Sequence, residues 1–478
     1  MIRLDPRHRR TVAGLVVAGS LLVSAGMAAA QPAFSALDQT SNAQLRFASA
    51  AQNRPILAGS EVVVSGQGFR PGQKVTLLYG TTPLLGAPLT ADADGKVEAR
   101  ITVPADAVAG QHPIVVVAQA PYLATVATLK VSPNVPLSGQ DRYNVVEAQV
   151  TRGLYQSAYS TRSNALFVTS AIGRPPVRQS ELLRLDPETL AVVARITPQA
   201  APAPAPRPGS AARAPAEGGV YAVYGIGVDD VNETVWVSNT RQNTVAVYRQ
   251  SDLSLVRQFE PGTVNHARDV VVDPTLGKAF VSATFKPEVV VFNTRTPDVA
   301  GRIQITSQVR GGTFSAASLS LNAAAHRLYV VSNTTNEVAI IDTQTNQVEK
   351  VLLVPGARGS IGVSHDPQTN RIFVASQGSD NLVVLDSGSG AVVADTPVGA
   401  GALNVVFDVV RRRAYVSSRA AGTVTVTDAD GAILANLGPA PLANHVSTGR
   451  DGTVYAVDKS AAARSEDGDT ILRMRPRP

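Results

Sequence analysis

The 478-residue sequence predicts an all-β protein, a seven-bladed β-propeller preceded by a small immunoglobulin-like β-sandwich. Two observations lead to this prediction. From about residue 142 to residue 478, one strand–loop–strand–turn plan recurs seven times. Between residues 56 and 132, short runs of alternating apolar and polar residues are separated by turn residues. Apolar residues make up 44% of the chain and charged residues 17%, so a large core can form.

Each repeat has an aromatic residue in an apolar strand, and the spacing of these residues sets the repeat length. Successive aromatic residues are 69, 44, 49, 44, 42 and 40 positions apart, and about forty residues is the length of one four-stranded blade. The wide first interval contains the Pro/Ala-rich segment 198–218, whose prolines lack the amide hydrogen that a strand ladder needs. We therefore predict an exposed insertion there. The aromatic residues are Phe167, Trp236, Phe280, Tyr329, Phe373, Tyr415 and Tyr455.

The last repeat ends after three strands, at residues 471–474. A blade with only three strands would leave an open edge. The strand-like segment 143–150 precedes the first repeat, so we expect it to supply the fourth strand and close the ring.

The N-terminus has the parts of a secretory signal peptide: a basic head, an apolar stretch and small residues before a cleavage site near Ala30. The alternative is an uncleaved anchor, but Gly14, Ser20 and Gly26 interrupt the apolar stretch. No later segment is apolar and long enough to span a membrane. We predict a signal peptide over residues 1–30, a flexible leader over residues 31–55 and a periplasmic location.

Composition and missing motifs exclude several functions. The chain has no cysteine, which removes disulfides, thiol nucleophiles and iron–sulfur clusters. Lys and Arg number 43 against 37 Asp and Glu, too small an excess to argue for nucleic acid by net charge. The phosphate-binding, zinc-protease and serine-elbow motifs are missing. The sequence therefore indicates no cofactor and no metal, and favours binding over catalysis.

Two repeats, LYVVSNTTNEVAIIDT and IFVASQGSDNLVVLDS, resemble the YVTN-type propeller repeat. From about residue 145 to residue 476 the chain is similar to the YncE-like periplasmic propellers, with LLRLDPETLAVVARI and the ending DGTVYAVDKSAAARSEDGDTILRM as further matches. The resemblance implies an exported ring to which single-stranded DNA binding is attributed, with no established catalysis. The sandwich and the insertion depart from that plan.

A polar ligand site is predicted at one mouth of the central channel. The innermost strands of a propeller line this channel, and the loops that precede them crowd one end of it. Arg268 is the strongest candidate, because a planar cation in a concave site suits phosphate or carboxylate. The alternative is that these residues hydrogen-bond strand ends and water. The predicted residues are Tyr155, Tyr224, Asn265, Arg268, Asn404, Asn444 and His445.

A basic patch on the last two blades is the second predicted site. Arg419, Lys459 and Arg473 are its candidates for contacting single-stranded nucleic acid, with a merely solvated surface as the alternative. The sequence thus predicts a monomeric, exported, non-catalytic protein that binds single-stranded DNA, another envelope polymer or a protein. Two alternatives remain: a propeller enzyme acting at the channel mouth on a small anionic or lactone substrate, and a protein–protein scaffold.

Overall fold

The computed structural model describes residue 34 and residues 36–203, 218–459 and 468–477. The predicted signal peptide and most of the predicted insertion lie outside these residues. In the described part of the chain, no helix is long and apolar enough to cross a membrane. Short 3₁₀ turns occur at Gln140–Arg142, Thr240–Gln242 and Arg450–Gly452.

The N-terminal part is a β-sandwich with one apolar core. One sheet has the order β1-β2-β6, and the other has the order β4-β3-β7-β8 with β5 beside β3. Every second residue of a strand faces the other sheet, so Val62, Val64, Val75 and Leu77 are buried together. The strands are β1 (Gln44–Ser49), β2 (Glu61–Gln67), β3 (Lys74–Tyr79), β4 (Thr82–Pro83), β5 (Leu89–Thr90), β6 (Val97–Thr102), β7 (Gly110–Gln119) and β8 (Leu123–Val131).

The prediction of a flexible leader over residues 31–55 is wrong for β1. This strand pairs antiparallel with β2 along its whole length. Leu45 and Phe47 pack against the sandwich core, whereas the alternate side chains are exposed. The polar, Ala-rich composition of the segment concealed this alternation, because an edge strand needs only one apolar face.

The rest of the described chain forms seven four-stranded antiparallel sheets, the number of repeats in the sequence. Consecutive inner strands contact one another, and the last contacts the first, so the sheets are the blades of a β-propeller. The inner strands are β10 (Leu154–Ser160), β14 (Ile226–Asp229), β18 (Ala267–Asp273), β22 (Ala316–Asn322), β26 (Ser360–Asp366), β30 (Ala402–Asp408) and β34 (Ala443–Thr448). The second strands are β11 (Ala165–Ile172), β15 (Thr234–Asn239), β19 (Lys278–Ala283), β23 (Arg327–Ser332), β27 (Arg371–Ser376), β31 (Arg413–Ser418) and β35 (Val454–Asp458).

The outer half of each blade completes the sheet, and the last blade takes its outer strand from the N-terminal side of the ring. The third strands are β12 (Gln179–Leu185), β16 (Thr244–Arg249), β20 (Glu288–Asn293), β24 (Glu337–Asp342), β28 (Asn381–Asp386), β32 (Thr423–Thr427) and β36 (Thr470–Pro476). The outer strands are β13 (Val192–Ile196), β17 (Leu255–Gln258), β21 (Asp298–Gln304), β25 (Gln347–Leu353), β29 (Val392–Pro397), β33 (Ile433–Leu437) and β9 (Tyr143–Gln149). The register of β36 and β9 runs from Thr470 opposite Gln149 to Pro476 opposite Tyr143, which confirms the predicted closure.

The propeller core lies between adjacent blades. The repeated aromatic residues of the second strands are buried there; Trp236, for example, packs against Phe292 of the next blade at 5.6 Å between ring centroids. Each fully buried ring removes enough apolar surface from water to contribute roughly 2–3 kcal/mol. The repeat period is therefore the period of the core.

Lys130 fixes the sandwich to the propeller through the fifth blade. Its ammonium donates to the Asp380 carboxylate at 2.6 Å and to the Gln377 carbonyl at 2.7 Å. Gln111 donates to the Gly378 carbonyl at 2.9 Å. These propeller residues lie between β27 and β28, at the end of the ring where the inner strands begin. We call this end the mouth face.

Candidate functional site

The mouth face is more basic than acidic. It comprises the loops that lead into the inner strands and the loops that join second to third strands, because alternate connections of an antiparallel sheet share an edge. In the described parts of these loops, three residues are acidic: Glu260, Asp380 and Asp469. Nine are Arg or Lys: Arg152, Arg174, Arg178, Arg241, Lys286, Arg310, Arg358, Arg419 and Lys459.

The opposite face carries the aspartates that cap the turns of the repeat. Asp342 is typical: its Oδ1 accepts the amides of Gln344 and Thr345, both at 2.8 Å. The amide and hydroxyl of Thr345 lower the pKa of this carboxyl, and the same type of turn lowers the pKa of Asp386. Turn chemistry therefore holds ionised carboxylates on the face away from the channel mouth.

Two tyrosines and three cations meet at the mouth, and we call them the mouth cluster. Lys459 Nζ lies 4.9 Å from the centroid of the Tyr155 ring. The rings of Tyr155 and Tyr224 meet edge to face at 5.0 Å. Arg241 Nε donates to the Tyr224 hydroxyl at 3.4 Å. Arg419 completes the cluster, because its charge acts on Lys459. Residues of four blades, the sixth, seventh, first and second, thus converge there.

The mouth cluster has excess positive charge. Burial and the charges of Arg419 and Arg241 together lower the pKa of Lys459 to about 8, against the opposing effect of Asp469. Within the described residues, none of these three cations forms a salt bridge, in contrast to Lys130 on the sandwich. Because like charges repel and the site is partly desolvated, an anion bound there would gain electrostatic energy.

Arg268 lies deeper, on the inner strand β18. Burial, together with the charge of Arg268, lowers the pKa of His445 to about 3, so this imidazole is neutral. The Nδ1 atom of His445 accepts a hydrogen bond from the Ser157 amide at 3.4 Å. Burial raises the pKa of Asp269, whose Oδ2 accepts the Leu319 amide at 2.9 Å. The Nε of Arg268 is buried and has no hydrogen-bond partner among the described residues.

Two of the three predicted asparagines hydrogen-bond backbone groups of a neighbouring blade. Asn404 Oδ1 accepts the Val446 amide at 3.0 Å, and Asn444 Nδ2 donates to the Tyr155 carbonyl at 2.7 Å. Each bond joins the inner strands of neighbouring blades. Asn265 is half-buried in the loop before β18.

Arg473 lies apart from Arg419 and Lys459. It is buried on β36, where it donates to the Glu188 carboxylate at 2.7 Å. Arg475 donates to the same carboxylate at 2.7 Å. Glu188 belongs to a turn of the first blade on the opposite face, so Arg473 helps to close the ring and the predicted three-residue patch does not form.

The sequence interpretation missed Arg241 and Phe285. The Phe285 ring is 62% exposed, the only exposed aromatic ring among the described propeller residues, and its centroid lies 4.8 Å from that of His266. Its φ of 72° is in the left-handed region, which is costly for a bulky residue and marks a candidate functional position. Both residues follow second strands, as Arg419 does, so aligning those loops would have predicted them.

Comparison with solved structures places the fold among the β-propellers. Hydrazine synthase of Kuenenia stuttgartiensis matches 68% of this chain and 96% of its own with a TM-score of 0.54 at 14% identity. Virginiamycin B lyase from Staphylococcus aureus matches 70% of this chain and 99% of its own with a TM-score of 0.51 at 10% identity. At these identities the likeness concerns the fold alone.

In sequence, the chain is similar to the YncE proteins of enteric bacteria. The Salmonella typhimurium protein is 25% identical over 348 residues, which are 69% of this chain and 90% of the relative. The Escherichia coli K12 protein is 24% identical over 268 residues, which are 54% and 68%. No protein-family profile matches the chain.

Proposed function

We propose that this chain is a monomeric periplasmic binding protein, a seven-bladed YncE-like propeller with an immunoglobulin-like sandwich, that holds an anionic polymer at its mouth face without altering it chemically. Single-stranded DNA is the first ligand to test, and anionic polymers of the cell envelope are the second. The mouth cluster is the observation that carries this proposal.

Charge distribution supports an anionic ligand. Nine basic and three acidic residues lie in the described loops of the mouth face, and the opposite face has ionised aspartate caps. A molecule with a small net charge can thus still present one strongly positive surface. A phosphate chain approaching this face would release counterions and gain affinity.

Side-chain chemistry supports a polymer with planar or apolar faces as well as charge. Tyr155 and the exposed Phe285 lie on the same face as Arg241, Arg419 and Lys459. Single-strand binding sites combine such rings with cations, because the rings stack on the units of the chain and the cations contact its phosphates.

Fluorescence anisotropy of a labelled single-stranded oligonucleotide, at low and near-physiological salt, tests the proposal. We expect saturable binding that weakens steeply with salt and survives competition by duplex. Changing Arg419 and Lys459 together to Ala should lower affinity about tenfold and reduce the slope of log affinity against log salt by about 0.7 for each lost contact.

Arg295→Ala is the matched control, since Arg295 is exposed on a turn of the opposite face. This variant should bind like the wild type. An equal loss of affinity in the control would refute a mouth-face site for anionic polymers. Flat anisotropy of a folded sample, both with the labelled oligonucleotide and with labelled sulfated dextran, would refute it as well.

A further inference from the structure

A cleft separates the sandwich from the fifth and sixth blades on the mouth face. It consists of two adjoining grooves of about 620 Å³ and 600 Å³. Both grooves are lined by Ser49, Ala51, Arg54 and Pro55, so they form one continuous path along the sandwich. The contacts of Lys130 and Gln111 hold its two walls together.

The inner end of the cleft adjoins the mouth cluster. Gly401 and Ala420 line the cleft, and the Arg419 amide donates to the Gly401 carbonyl at 3.0 Å. Arg419 therefore adjoins the cleft through its backbone, and its charge acts on Lys459. A chain that leaves the mouth cluster over Arg419 would enter the cleft directly.

The lining of the cleft suits an anionic chain with apolar faces. Arg54 is exposed on the sandwich wall, and none of the described residues that line the two grooves is Asp or Glu. Phe47 and Pro55, both half-buried, supply apolar surface beside this cation. Apolar surface beside a cation is a combination that single-strand binding sites use.

We propose that the sandwich is the second half of the binding site: the cleft receives the continuation of a single strand of nucleic acid whose first part occupies the mouth cluster, and Arg54 contacts its backbone. This inference rests on the proposed function. It assigns the sandwich a direct contact with ligand and makes the length of the strand a determinant of affinity.

Oligothymidylates of roughly five and roughly twenty nucleotides separate the two halves of the site, because they lie near the lower limit and above the upper limit of usual single-strand site sizes. In the full-length wild type the longer probe should bind more tightly than the shorter one at equal nucleotide concentration. Arg54→Ala should weaken the longer probe about fivefold, reduce its salt slope by about 0.7 and leave the shorter probe unchanged. Arg46→Ala is the control, because Arg46 is exposed on β1 in a separate groove of the sandwich.

Each outcome decides between the two proposals. Identical binding of both probes by wild type and Arg54→Ala would overturn the cleft assignment while the mouth site stands. The absence of binding to either probe would remove the proposed DNA function, and the cleft assignment with it. If sulfated dextran fragments show the same length dependence and the same loss in Arg54→Ala, nucleic acid is the wrong polymer class.

Discussion

The ammonium of Lys459 lies 4.9 Å from the centre of the Tyr155 ring, so the seventh blade touches the first across the channel mouth. The two residues are more than three hundred positions apart in the chain. The ring offers the ammonium a partial counter-charge, but a cation–π contact replaces lost hydration only in part. A bound anion would therefore compensate the charge of Lys459 more fully than the Tyr155 ring does.

The binding of an anionic ligand should weaken as pH rises through about 8. Because burial lowers the pKa of Lys459 to about 8, its amine is charged below this pH and neutral above it. Lys459→Arg keeps its charge throughout this range, so it should bind with little pH dependence between about pH 7 and pH 9. Anisotropy titrations at constant ionic strength measure this, and an unchanged pH profile in the arginine variant would show that another group titrates.

Removing Arg412 should destabilise the propeller. The Asp366 side chain is fully buried, and both of its oxygens accept hydrogen bonds from the Arg412 guanidinium, with Nη2 at 2.6 Å from Oδ2. Although burial alone would raise the pKa of Asp366, Arg412 and Thr369 hold it below its usual value. Arg412→Ala leaves this charge unpaired and should cost about 3–5 kcal/mol in urea unfolding. The neighbouring exposed Arg411→Ala should cost less than about 1 kcal/mol, and equal losses would contradict the argument.

The fold was predictable because every blade repeats the same core contacts. The spacing of Phe167 and its six counterparts reports the distance between successive inter-blade cores, and the three-stranded last repeat implied closure by residues 143–150. Local sequence was less informative for β1, where only Leu45 and Phe47 reveal a buried face.

The candidate site was predicted as two separate sites, although its residues form one cluster. The sequence places Tyr155 at the channel mouth and Lys459 in a basic patch, because it does not show that loops before inner strands and loops after second strands share one face. Residue type did not separate ligand contacts from structural ones either. Asn404 completes a hydrogen bond between blades, and Arg473 pairs with Glu188. Both roles depend on neighbours distant in sequence.

Lys130→Met should loosen the sandwich from the propeller. The Asp380 side chain is 1% exposed and loses its only described cation in this variant, keeping the Gly401 amide at 2.7 Å. Small-angle scattering should report a larger radius of gyration, and protease should cut residues 133–142 faster. Lys74→Met on the sandwich is the control, since among the described residues its ammonium donates to Thr90 of the same domain and to no propeller residue. Unchanged dimensions would mean that the Gln111 contact with Gly378 and the linker contacts of Asn436 hold the sandwich without Lys130.

Acid should destabilise the propeller through His445. Burial and the charge of Arg268 lower the pKa of His445 to about 3, whereas an imidazole in the unfolded chain has a pKa of about 6.5. Between these values the unfolded state binds a proton that the folded state does not, so the free energy of unfolding falls as pH falls. The loss should be about 2–3 kcal/mol at pH 4.5 relative to pH 7.

His445→Gln isolates this effect, because the glutamine amide oxygen can accept the Ser157 amide but does not titrate. Urea unfolding of wild type and variant at several pH values should give a flatter pH dependence for the variant. His365→Gln is the comparison: burial also lowers the pKa of His365, but this residue lies on the opposite face beside Asn370. If His445→Gln loses as much stability in acid as the wild type, the imidazole of His445 is already protonated in the folded protein or other groups dominate acid unfolding.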